Sequence, residues 1–544
     1  MNALNAQLQL VGNPQNLKVS ATDVQERPAG CGVYGALKVR PSVKSSAWAR
    51  RPDWSQPFAM GIVREIACQI HDDPRIHEWH GLQSTIQESL AGRNLHPGLA
   101  TYIAHAIENY IEAHDVITAD VGDLHFRCFD PQVAPDYGNT LTTWSPVYEN
   151  GNGLRELRKL RYGAAVGHTA SVERWTAVAA HTASLLRPTN EINRIRVVEI
   201  GLLDASIEVL FDGTPESARA GFNEIALPSL LKVTQATTVT PGYSCKDCKV
   251  AGCCSAVEQL EGFLGQNSLG NETRSVSARD IEVYEVCAAQ WHLSLSHHLP
   301  KENTAGPASE RGRLIHHWIA TAHSRSIQCS PQDIGPFSDP QSFTSSLSEQ
   351  EYSSIRDYLV NHVTNCPLTD GSKVISIEPP VYGYDAAADV IIASSPDMIY
   401  IAPDNCLVIR ETKTTASDIP LDNAEAFDRF FASAWLLNLY ASGYRGPFEG
   451  DSAKFELEII SPTESRVFSW DMQDDRVLRM AKAEVRMRTK SWHKDTTWAT
   501  TPGKHCSWCP VRRWCPDNEQ DGEGNSTQGR GDEPTSGLPG YSFD

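Results

Sequence analysis

Asp397, Glu411 and Lys413 fall within one short stretch, Ser395 to Thr415, that reads as two strands joined by a turn. Met398–Ile401 is an apolar run after Pro396-Asp397, Ala402–Asn405 supplies turn residues, and Cys406–Thr415 is rich in strand formers. Residues two apart in a strand share a face, so Glu411 and Lys413 point the same way, with Asp397 at the mouth of the neighbouring strand. Two carboxylates and an ammonium on adjacent strands can hold a hard divalent cation and set a water against a phosphodiester. A Glu-x-Lys alone is as well explained by an exposed strand with paired charges. Its weight comes from what flanks it.

Cysteine supplies the second chemistry. Of fourteen cysteines, seven fall in two tight clusters, Cys245–Cys254 and Cys506–Cys515. In a chain with no secretory signal such usage points to metal rather than to disulfides. Cys506-x2-Cys509-x5-Cys515, with Trp508 and Trp514 around it, offers three thiolates and needs a fourth ligand from elsewhere, for which Cys287 is the candidate. A four-thiolate site suits zinc or an iron–sulfur cluster. Zinc ribbons usually pair two CxxC knuckles, whereas this fourth ligand stands alone.

Further elements must position these groups. Ser277–Leu295 opens with a Ser-capped amphipathic turn that carries Cys287, and Arg311–His316 opens the next helix. Asp428–Tyr440 is helical by its apolar period. Together with Pro396-Asp397 and Glu411-Thr412-Lys413, these motifs resemble the PD-(D/E)xK nuclease superfamily. The resemblance is to its RecB-like branch with a C-terminal cysteine-bound [4Fe–4S] cluster, found in CRISPR-associated exonucleases and AddB-type nuclease domains.

That resemblance implies an α/β, restriction-endonuclease-like fold with a central mixed sheet flanked by helices. It implies Mg²⁺ or Mn²⁺ held by His316, Asp397 and Glu411, a further ligand in the Thr412 carbonyl, and Lys413 orienting or activating the attacking water. Tyr440 is implied near the substrate. The branch carries Gln four residues earlier, where this chain has Leu436, so half of that motif is missing. Cys287, Cys506, Cys509 and Cys515 are implied as ligands of a structural [4Fe–4S] cluster. The implied partner is DNA, with a separate helicase or defence-system protein alongside. The chain has no Gly-x-x-x-x-Gly-Lys-Ser/Thr, so no ATP site is expected.

The same landmarks occur twice. Val19–Val24 matches Val276–Ile281, each followed by a cysteine, Cys31 and Cys287. Gly61–Glu65 matches Gly312–His316, Leu154–Arg158 matches Ile409–Lys413, and 196–212 matches 455–471. Pro241–Cys254 matches Pro502–Cys515. The six spacings lie between 251 and 261 residues. Two copies of one fold are expected, at 17–265 and 273–516, followed by a disordered acidic tail at 517–544.

In the first copy Cys31, Cys245, Cys248 and Cys254 repeat the thiolate set, with Cys253 able to substitute for Cys254, and a second cluster is expected. The catalytic set does not repeat. Glu65 stands for His316, Arg158 for Lys413, and the region Thr142–Trp144 for Asp397, with Asp136 too distant from Glu156. A pseudo-nuclease is expected there. Arg155, Arg158, Lys159 and Arg161 in one strand suggest a patch for a nucleic-acid backbone, against the plainer reading of solvated surface charge.

The net charge of −19 argues against non-specific coating of nucleic acid, so DNA binding requires a local basic surface. No apolar run approaches a membrane span, and a cytoplasmic enzyme is expected. A non-catalytic scaffold that binds DNA or a partner is the rival reading. The co-occurrence of Asp397, Glu411, Lys413 and His316 disfavours it.

Overall fold

The computed structural model describes residues 17–25, 31–39, 59–72, 79–133, 140–187, 191–236, 238–248, 251–269, 274–302, 306–335, 347–420, 422–445 and 452–518. Asp136 and the tail beyond 518 lie outside them, as does the side chain of Cys253.

The first half runs through β1 (Lys18–Ser20), α1 (Ala59–Asp72), α2 (Pro97–Val121), β2 (His125–Phe129), β3 (Gln132–Val133), β4 (Thr140–Thr142), β5 (Pro146–Glu149), β6 (Leu154–Arg161), α3 (Ala170–Leu185), β7 (Arg194–Gly201) and β8 (Ile207–Gly213). The second runs through β9 (Glu258–Gln259), β10 (Arg274–Val276), α4 (Ala278–Val286), α5 (Pro307–His323), α6 (Glu349–Thr364), β11 (Lys373–Ile377), β12 (Val381–Asp385), β13 (Val390–Ser394), β14 (Met398–Ile401), β15 (Leu407–Thr414), α7 (Phe431–Ala441), β16 (Ala453–Ile460), β17 (Ser465–Asp471) and α8 (Asp475–Lys494).

Each half builds a five-stranded mixed sheet, in the orders β2-β5-β6-β7-β8 and β11-β14-β15-β16-β17. In both, the central strand is antiparallel to one neighbour and parallel to the other, and the last pair is antiparallel. Smaller sheets repeat as well, β1-β4-β3 and β10-β13-β12-β9. The α/β class with two copies of a restriction-endonuclease-like fold is what the chain forms.

Both faces of each main sheet are covered, so the central strands are buried on both sides. Tyr400 and Val408 pack on α5 and α6 through Ile315, Ile319, Ile355 and Leu359. Ile399, Ile409, Phe455 and Leu457 pack on α7 and α8 through Trp435, Leu436 and Val485. The strand β15 reads Leu-Val-Ile and then turns charged, which brings Glu411 and Lys413 to the sheet's end while their backbone stays in the ladder.

The halves interlock. Trp514, from the last cysteine turn, packs edge-on against Tyr102 of α2 at 5.1 Å, inside the first half's core. In return Cys245 is buried with Tyr384 and Ile391 of the second half. The helix expected over Asp428–Tyr440 breaks at Phe430, whose backbone is extended, giving Asn423–Arg429 and then α7. Among the described residues no helix is long and apolar enough to cross a membrane.

Candidate active site

Asp397 precedes β14, and its carboxylate is fixed from two sides. The Thr412 N–H donates to Oδ2 at 2.6 Å, and His316 Nδ1 lies 3.1 Å from Oδ1. His316 reaches it from α5, a helix started by Pro307 in its first turn. On β15 the Lys413 ammonium donates to Glu411 Oε1 at 2.8 Å, as their shared face requires. Gly312, one turn before His316, faces Thr414, where a Cβ would stand 3.3 Å from Oγ1. A small residue there lets α5 approach the strand end.

Burial and charge pairing set the electrostatics of the site. Burial, relieved in part by Lys413 and aggravated by the Asp397 carboxylate, pushes the Glu411 carboxyl up to about 7. Burial works against the Asp397 carboxylate too, but His316 and Lys413 outweigh it and hold its pKa low. Burial also opposes the Lys413 ammonium, yet Glu411, Glu282 and Asp397 keep it above its ordinary value. Lys413 is therefore a fixed cation. Two acids escaped the sequence reading. Glu378 lines the same cleft as Asp397 and His316, and its N–H donates to the Asp397 carbonyl at 2.9 Å. Glu282 of α4 is felt by Lys413.

Tyr440 stands on α7 under the Arg445 guanidinium, 4.2 Å from its ring centre, and packs on the core. No hydrogen bond joins it to Asp397, Glu411 or His316 among the described residues.

Cys287, Cys506, Cys509 and Cys515 line one cavity. Burial and then its cysteine neighbours, Cys287 first, push the Cys509 thiol up to about 11, as expected for thiols crowded together without a cation. In the first half Cys245 feels Cys254 and Cys31 in the same way, after burial. The two turns share their local geometry. The Gly242 N–H donates to Cys245 Sγ at 3.5 Å, and the Gly503 N–H donates to Cys506 Sγ at 3.4 Å. Cys248 packs beside Cys245.

Among the described residues the first half brings no equivalent set of acids together, and its positions differ from those the sequence suggested. Glu378 and Asp130 each have a positive φ, 45° and 48°, and each N–H donates to a carbonyl one residue before the inner strand, of Asp397 and of Ser145 respectively. The adjoining edge strands slip register at the same point, opposite Tyr400 and Tyr148. Ser145 therefore stands where Asp397 does. Counting along the ladders puts Lys159 at Glu411 and Arg161 at Lys413. Glu156 and Arg158 instead face α2, the opposite side of the sheet from Glu411 and Lys413. The offset of three residues between the two matches is odd, so it reverses the face of every side chain.

The cationic strand is corrected with them. The side chains of Arg155 and Arg158 are 1% and 0% exposed, paired with Glu149 and Glu156. Arg158 also reaches His114 Nδ1 at 2.8 Å and lies 3.9 Å from the centre of the Tyr148 ring. Lys159 donates to Glu199 at 2.9 Å, and only Arg161 is substantially exposed. Arg155 and Arg158 hold the sheet's interior and cannot present a face to a phosphate backbone. Glu65 pairs with Arg93 at the surface. Its neighbour Arg64 turns inward to Asp130, much as His316 turns to Asp397. Exposed cations cluster elsewhere, on α8, where Arg479, Lys482, Arg486 and Lys490 face solvent.

A family model described as the PD-(D/E)XK nuclease superfamily matches residues 275–516, the second half with its cysteine turn. This part of the chain is a PD-(D/E)XK nuclease superfamily domain, and phosphodiester cleavage is the activity class that follows. No curated protein matches the chain.

Proposed function

We propose that the second half is a Mg²⁺- or Mn²⁺-dependent deoxyribonuclease of the RecB-like kind, acting on DNA ends in repair or genome defence, and that the first half is an inactive copy serving as a binding platform. The observation that carries this reading is the constellation of buried His316, Asp397 and Glu411 with half-buried Lys413 at one end of β15.

The residues fit a hard divalent ion. Two carboxylates and an imidazole converge, and oxygen and nitrogen donors of this kind suit such an ion. His316, Asp397 and Glu411 would hold the ion, with the Thr412 carbonyl as a further donor. When bound, the metal would stabilise the charge that builds on the phosphate. The Thr412 N–H and His316 keep the Asp397 carboxylate oriented. Lys413, held cationic beside Glu411, positions the attacking water and offsets negative charge on the substrate.

For the cysteine sets, four thiols around one cavity suit a [4Fe–4S] cluster, whose part would be to tie α4's end to the C-terminal turn. The repeated glycine-to-sulfur hydrogen bonds support a second cluster on Cys31, Cys245, Cys248 and Cys254. Protein purified without oxygen is expected to carry about eight irons per chain. Cys509→Ser should remove about half of them. Zinc without iron in that preparation would reject the clusters.

The proposal as a whole is tested on labelled single- and double-stranded DNA, with Mg²⁺, Mn²⁺ or EDTA. Cleavage with metal and none with EDTA is expected. Binding without cleavage of any DNA form would favour the scaffold reading.

A further inference from the structure

Beside the acid site lies a second group of metal-ligand side chains that the proposed hydrolysis does not use. His323 ends α5, two turns after His316, and Cys329 follows that helix. His362 sits in the last turn of α6, and Cys366 lies just beyond it. All four are buried, and their donor atoms lie within 4.8 Å of one another. His362 Nε2 is 3.2 Å from His323 Nε2, and Cys366 Sγ is 3.6 Å from that same nitrogen. Donors around a tetrahedral zinc, at bonds of about 2.0–2.3 Å, stand roughly 3.3–3.8 Å apart.

We propose that His323, Cys329, His362 and Cys366 form a structural zinc site that fastens the end of α5 to α6 and so holds His316 against Asp397.

The surroundings are built for such a site. His362 Nδ1 lies 3.0 Å from both oxygens of Glu458, so this nitrogen donates, and Nε2 is the ring atom turned toward His323. Metal-bound histidines characteristically donate their second nitrogen to a carboxylate in this way. Glu458 is itself held by Arg410 at 3.0 Å and by the Ser465 hydroxyl at 2.8 Å. Two thiolates and two neutral imidazoles balance a divalent charge. Sulfur and imidazole donors select zinc, whereas the oxygens of Asp397 and Glu411 suit Mg²⁺ or Mn²⁺. The two sites therefore sort their metals by donor chemistry although His316 and His323 line one cleft. With all four protein ligands present the zinc site is closed, which marks it as structural rather than catalytic.

The spacing His-x5-Cys…His-x3-Cys is visible in the sequence. Without a known contact between α5 and α6, nothing distinguishes it from scattered residues.

Metal content of the anaerobically purified full chain is the test, and it is independent of cleavage. Wild-type protein is expected to hold one zinc per chain at this site, and zinc-edge X-ray absorption is expected to include a component with two sulfur and two nitrogen donors. The Cys329→Ser/Cys366→Ser double variant should lose that one zinc and keep the metal of Cys287, Cys506, Cys509 and Cys515. Zinc-free wild-type protein would overturn the proposal, as would a disulfide between Cys329 and Cys366 in that preparation. A double variant with unchanged zinc would overturn it equally. The absorption measurement needs no variant, so a failure of the double variant to fold leaves the proposal open to refutation. A zinc-loaded chain that cleaves nothing would reject the nuclease reading alone.

Discussion

Lys413→Ala is expected to lower DNA cleavage by about 10²–10³-fold, the usual range for loss of one preorganised donor facing the charge that develops on the reacting group. Lys413 is half-buried and donates to Glu411 at 2.8 Å, as the fixed cation paired with the acid on β15. Removing it leaves Glu411 without its partner. A stranded buried carboxylate would normally cost several kcal/mol, but this carboxyl is already raised to about 7 and can take up a proton instead. The variant should therefore fold and still bind Mn²⁺ through Asp397, so that turnover falls much further than metal affinity. Lys413→Met, which keeps the bulk, is the control should the alanine variant fold poorly. Wild-type rates in a folded variant would remove Lys413 from the chemistry.

Arg158→Ala is expected to destabilise the first half by about 3–5 kcal/mol, as when one partner of a buried ion pair is removed. Its guanidinium is fully buried against Glu156, His114 and the Tyr148 ring. Glu156 would keep only Arg196, at 3.1 Å, to balance it. Replacing both Arg158 and Glu156 by apolar residues of similar size should recover much of the loss. The measurement is the denaturant midpoint of the first half's transition, read with the salt dependence of DNA affinity for folded protein. The account requires the midpoint to fall while the salt slope stays. An unchanged midpoint with a shallower slope would restore Arg158 as a phosphate contact. By the same reasoning, Glu156→Ala should damage folding, because it strands Arg158 and leaves Arg196 with the exposed Asp120 as its acid.

The hairpin from Met398 to Thr414 is legible because apolar runs, turn residues and a Glu-x-Lys coincide in seventeen residues. The caps were equally readable, since Ser277 and Asp280 bond reciprocally as the local pattern predicts. The first half's register was not. A match built on Arg-Glu at 155–156 and 410–411 ignores which face each residue occupies, and the faces are set by the pairing of β5 with β6 and of β14 with β15. The charge of Leu154–Arg161 misled for a related reason. Its balancing acids, Glu149 and Glu199, come from flanking strands, so a run of cations that looks solvated is an interior network. Glu378 and the His323–Cys366 group depend on contacts between helices and strands distant in sequence, and no local pattern announces them.

The central claim is that Asp397 and its neighbours hold the metal that cleaves DNA. It is tested most directly by comparing anaerobically purified wild-type chain with its Asp397→Ala variant on labelled DNA across a Mn²⁺ titration. The account predicts metal-dependent cleavage by wild type and none by the variant, with unaltered iron content in both. Equal cleavage by the two proteins would contradict it.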